Sequence, residues 1–171
     1  MSTGRGGCQP PAGVARSPRE AHPIEALRAE WYSDGAMAEE RSKPVVAILN
    51  NNEDLIRMLS DALKEAGCNV ASVRLVDVRA GKVDLELFVK EHDPDAVIFD
   101  IALPYRTTLS MLEDLKATGV LAGRGLVLTT PNARATRDLL RVDAFEITGL
   151  AEEIAVVVQE VLRMARRPEE R

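Results

Sequence analysis

From residue 44 onward the chain alternates two patterns. Short unbroken apolar runs are followed by longer stretches whose apolar residues recur every three or four positions. The runs read as strands buried on both faces, and the longer stretches read as amphipathic helices. Strands are expected over residues 45–49, 69–75, 95–100, 125–129 and 142–147. Between and after them, helices are expected over 53–66, 82–92, 109–118, 132–140 and 150–166. In the first helix Leu55, Met58, Leu59, Ala62 and Leu63 should face inward. The second should bury Val83, Leu85, Leu87, Phe88 and Val89, the third Met111, Leu112 and Leu115. The last carries a stripe of Ile154, Val157, Val158, Val161 and Leu162.

Local punctuation agrees with these boundaries. Asn52 is placed to cap the first helix, with Glu53 and Asp54 in its first turn. Gly67 and Gly119 suit positions just past a helix end, and Asp93-Pro94 breaks the second helix. Five strand–helix repeats imply right-handed crossovers and a five-stranded parallel sheet sandwiched between helices. A chain of this size is expected to adopt the doubly wound order 2-1-3-4-5, with five helices.

Residues 1–43 have a different texture, rich in Gly and Pro and without sustained periodicity. They read as a weakly ordered leader ahead of one α/β domain over 44–166, with 167–171 as a solvated tail. A short helix over 23–31, with Ile24, Leu27 and Trp31 on one face, is the one periodic piece of that leader. Met37 offers an alternative start of translation just before the first strand.

Composition narrows the function classes. The net charge of −5 gives no basic footprint for nucleic acid. The longest apolar runs, 45–49 and 154–158, are far too short to span a bilayer. No apolar signal segment opens the chain, so a cytoplasmic protein is expected. Cys8 and Cys68 are too few and too far apart for a metal site, and a cytosolic disulfide is not expected. The loop after the first strand, Asn50-Asn51-Asn52-Glu53-Asp54, contains no glycine, which disfavours dinucleotide binding. Two histidines leave little room for a nucleophilic triad, and His92 is best placed to favour a helix C-terminus. No enzyme is expected.

The strongest chemical signal is AVIFDIALP over 96–104, an apolar strand ending in Asp100 and turning at Pro104. Ligands and chemistry gather at the carboxyl ends of strands in such sheets. With VVAILNNNEDL over 45–55, LVLTTP over 126–131 and DAFEI over 143–147, it resembles the receiver domain of response regulators. The resemblance spans residues 44–166. It implies that Asp100 is the phosphoacceptor, that Thr129 contacts the phosphoryl group and that Phe145 is the switching aromatic. It also implies a histidine kinase or a downstream signalling protein as partner. Output would pass through a protein contact on the fourth helix, fifth strand and fifth helix, a face that would also serve a homodimer.

The departures from that family are chemical. Its acidic pair falls on Asn50 and Asn51, its lysine on Thr148 and the following proline on Gly149. Mg²⁺ wants oxygen ligands, usually anchored by carboxylates, and here Asp100 and the Ala102 carbonyl are what the resemblance leaves. Any Mg²⁺ binding is therefore expected to be weak. Glu53 could lean toward the site, although a first-turn acid suits the helix dipole. Arg106, Arg134 and Arg137 are the nearest cations in sequence, each expected to face water. Thr129 and Phe145 also have plain structural readings, as a strand-closing hydroxyl and a core aromatic. Three functions stay open: an impaired phospho-switch, a pseudo-receiver acting as a constitutive interaction module, and a small-ligand binder using Asn50 to Asn52.

Overall fold

The computed structural model describes residues 43–140 and 144–165. The leader, with the 23–31 helix, Met37 and Cys8, and the tail from 166 onward lie outside the described residues, as does the start of the last strand. The element order is β1 (Val45–Asn50), α1 (Glu53–Glu65), β2 (Asn69–Arg74), α2 (Leu75–Arg79), α3 (Leu85–His92) and β3 (Ala96–Asp100). Then follow α4 (Tyr105–Ala117), β4 (Gly125–Thr130), α5 (Ala133–Leu140), β5 (Phe145–Glu146) and α6 (Ala151–Ala165). The five strands are parallel in the expected order β2-β1-β3-β4-β5.

Strand alternation divides the core. Val46, Ile48, Ala96, Ile98 and Val127 face α1 and α6, meeting Leu55, Leu59, Leu63 and all five residues of the expected α6 stripe. Ala47, Leu49, Val97 and Phe99 face the other way, against Leu85, Phe88 and Val89 of α3 and Leu112 and Leu115 of α4. The central strand β3 is buried along its whole length, which fixes the strand whose end carries Asp100. Cys68 is buried, and its thiol is pushed up to about 11 by burial and by the charge of Asp95, so it is inert.

Several expectations need correction. There are six helices among the described residues rather than five, because Leu75–Arg79 forms a short helix that starts on the last residue expected for strand 2 and fills a stretch given no element. The reason is tertiary: Asn51 Oδ1 accepts the Val76 N–H at 2.7 Å, capping α2 from another loop. The second helix starts at Leu85, not 82, where Asp84 caps the Leu87 N–H at 3.0 Å. That phase turns Leu85, Phe88 and Val89 inward and leaves Leu87 52% exposed rather than buried. The third helix begins at Tyr105, four residues early, with Pro104 as a cap that makes no side-chain bond and so leaves no sequence signal. Strand 5 is reduced to Phe145–Glu146 among the described residues. Met58 and Met111 are half-buried, packed against the core rather than within it.

Candidate functional site

The registers set a row of side chains across the carboxyl ends of the strands. Asp100 pairs with Thr129, and Thr129 with Phe145. On the other side β1 and β3 pair Leu49 with Phe99, so one further step puts Asn50 beside Asp100. Asn50 in turn pairs with Arg74 at the end of the edge strand. Parallel strands in register present such residues to one face, here the face covered by α1 and α6. The row reads Arg74, Asn50, Asp100, Thr129, Phe145.

Asp100 is 4% exposed, and the Thr129 hydroxyl, itself fully buried, donates to its Oδ1 at 3.1 Å. Burial pushes the carboxyl up to about 6, against the lowering effect of the Thr129 bond. Removing that donor takes away a bond to the charged form. Thr129→Val is therefore expected to move Asp100 above its present value, read from the pH dependence of its carboxyl carbon shift. An unchanged or lower titration would contradict the geometry. Phe145 is half-buried and packs against the core on the α6 side.

The three asparagines are backbone caps. Asn50 Oδ1 accepts the Asn52 N–H at 2.8 Å, and Asn52 Oδ1 accepts the N–H groups of Asp54 and Leu55 at 3.0 and 3.2 Å, as the sequence suggested. With Asn51 held on α2, the side-chain oxygen of each of the three asparagines is engaged by backbone. The other end of the Asn50 amide differs. Asn50 is 1% exposed and its Nδ2 donor has no hydrogen-bond partner among the described residues. The Asn52 N–H decides which end of the amide is oxygen, so the unpaired atom is a donor.

This donor set does not fit Mg²⁺. Two amide oxygens are committed to N–H groups, Asn50, next to Asp100 by the strand register, has its unpaired end as a donor, and the Ala102 carbonyl accepts the Thr108 hydroxyl at 2.9 Å. Among the described residues no group of three or more His, Cys, Asp or Glu could hold a metal ion.

Of the remaining candidates, only Glu53 touches the row. Thr148, which the receiver resemblance set at a lysine position, is turned to Glu153, whose carboxylate takes the N–H groups of Thr148, Gly149 and Leu150 at 2.6, 3.1 and 3.2 Å and caps α6. Those bonds, chiefly the one from the Thr148 N–H, hold Glu153 below its ordinary value. Gly149 has φ +112, a backbone closed to the proline of the family pattern. Arg106, Arg134 and Arg137 are exposed on α4 and α5, and Arg134 lies 3.7 Å from Asp138. His92 bonds the Phe88 carbonyl through Nδ1 at 2.9 Å, a helix-end contact. Glu53 pairs with Arg74, which also lies 3.7 Å from Asp77. Arg74 is the residue that sequence reasoning missed. The signal was its place as last residue of strand 2, which acquires meaning only from the register.

Among the described residues no helix is long and apolar enough to cross a membrane. No protein-family model matches the chain, and no curated protein matches it. Among solved structures it is similar to the bacteriophytochrome response regulator AtBRR, at 19% identity over 70% of this chain and 93% of that one, with a TM-score of 0.47.

Proposed function

We propose that this chain is an atypical receiver domain of a cytoplasmic two-component or phosphorelay system, with Asp100 as the phosphoacceptor. The observation that carries this reading is a single buried carboxylate at the end of the central strand, bonded by a buried threonine hydroxyl. In the transfer an Asp100 oxygen attacks the phosphorus of the donor. The new P–O bond forms as the donor's bond to phosphorus breaks, and the leaving group keeps that bond's electron pair. With acetyl phosphate the products are aspartyl phosphate and acetate, and no proton is required. Asp100 must be ionised to attack, so the rate is expected to rise with pH through about 6.

The domain is not an enzyme in this reading. It receives its phosphoryl group from a histidine kinase and passes a signal by protein contact. The face formed by α5, β5 and α6 carries exposed Leu139 and Val156 for such a contact, with a signalling partner or a second copy. A second reading, a constitutive pseudo-receiver, is favoured by the asparagine oxygens locked onto backbone and by Thr148 tied to Glu153.

Incubation with acetyl phosphate followed by intact mass separates the two. A single phosphoryl adduct that disappears in Asp100→Asn supports the phosphoacceptor. A protein that stays unmodified at every pH from 6 to 8.5 is the pseudo-receiver.

A further inference from the structure

We propose that the phosphoryl group on Asp100 is held by the Arg74 guanidinium and the Asn50 amide, without a metal ion. Arg74 would exchange its carboxylate partners Glu53 and Asp77 for the phosphoryl oxygens. This rests on the phosphoacceptor reading above and adds to it the groups that neutralise the charge and the surface that responds.

Three observations converge. First, Asn50 Nδ2 is a buried donor without a partner on the strand next to Asp100, and leaving such a donor unpaired is costly. A phosphoryl oxygen is an acceptor that would relieve it, whereas a cation placed there would meet the positive end of the amide. Second, Arg74 stands on the next strand in register with Asn50 and on the same sheet face. Neighbouring strands are about 4.8 Å apart, so two spacings separate Arg74 from Asp100. An arginine side chain and an aspartyl phosphate extend toward each other across that gap. A guanidinium also presents paired donors that match phosphoryl oxygens. Third, Arg74 is held by partners that can be traded. Glu53 is an exposed and Asp77 a partly exposed carboxylate, and Arg74 lines an open cleft of about 400 Å³ with Ile56, Ser72 and Val73.

The exchange has a structural consequence. Glu53 belongs to the first turn of α1 and Asp77 to α2. Drawing Arg74 toward Asp100 frees both acids, so phosphorylation would be felt at the α1–β2–α2 edge of the sheet.

The test uses the full chain with acetyl phosphate, once in excess EDTA and once in Mg²⁺, following adduct yield and decay by intact mass. Equal yield in the two arms is expected. Arg74→Gln should lower the yield in EDTA by about tenfold, the value of one charge-assisted hydrogen bond, while Arg74→Lys recovers part of it. Glu53→Gln, which releases Arg74, should raise the yield, and Asn50→Asp should make it depend on Mg²⁺. Thermal midpoints of the variants establish that each is folded. An adduct that forms only in Mg²⁺, or one indifferent to Arg74→Gln in a folded protein, overturns the proposal and leaves the phosphoacceptor intact. No adduct in any arm removes the phosphoacceptor and this proposal together.

Discussion

Asp100→Asn is expected to gain stability relative to the parent protein as pH rises from 4 to 7.5. The carboxyl titrates near 6 in the fold, against an ordinary value of 3.8, because burial disfavours its charged form. Between those two values the folded state binds more protons than the unfolded chain, so stability falls as pH rises through that window. At 1.36 kcal/mol per pH unit the loss amounts to about 3 kcal/mol above pH 6, and none of it is present below 3.8. An asparagine at this position does not titrate. Between pH 4 and 7.5 the difference between variant and parent should thus move by about 2.5 kcal/mol in the variant's favour, on the order of 10 °C in thermal midpoint for a domain of this size. Comparing two pH values cancels whatever the amide does to local packing. If the difference is the same at pH 4 and pH 7.5, the carboxylate is not desolvated as the structure shows.

A second large effect is expected at Gly125, the first residue of β4. A Cβ there would lie 2.5 Å from Met164 Cβ, 3.2 Å from Ala96 Cβ and 3.4 Å from the Met164 carbonyl carbon. None of these atoms is the mobile end of a side chain. Gly125→Ala must therefore push the C-terminal part of α6 away from the sheet, and α6 carries Val157, Val158, Val161 and Leu162 into the core. Overpacking of this kind costs about 1–3 kcal/mol, more than the gain from stiffening the unfolded chain. Urea unfolding should show the midpoint lowered with an unchanged slope. An alanine variant as stable as the parent would mean that α6 does not pack this closely on β4.

Much of the domain is written in local periodicity. The parallel sheet and the α6 stripe follow from apolar runs alternating with helical spacing, because each depends on which residues must leave water, while the strand order followed from the fold that a five-strand chain of this size usually adopts. Asp100 could be placed at a strand end for the same reason, and the Asn52 cap needed only its neighbours. Elements whose limits depend on distant groups were read less well. Leu75 reads as the end of a strand and 76–79 carry no helical signal until Asn51 reaches across to cap the segment. Tyr105–Ala117 begins at a proline that gives no capping signal. The phase of α3, and with it the exposure of Leu87, hangs on one aspartate cap.

The site divides in the same way. The sequence by itself determined that Asn50, Asn51 and Thr148 stand where the receiver resemblance would place two acids and a lysine, and that Asp100 and Thr129 close strands, since residue identity and strand periodicity are local properties. Only the tertiary structure decided what those side chains do. It turned the asparagine oxygens onto backbone, left the Asn50 donor unpaired, tied Thr148 to Glu153 and brought Arg74 into line with Asp100. The reason is physical: register between strands and hydrogen bonds between loops join residues far apart in the chain, and no local pattern records which of them will meet.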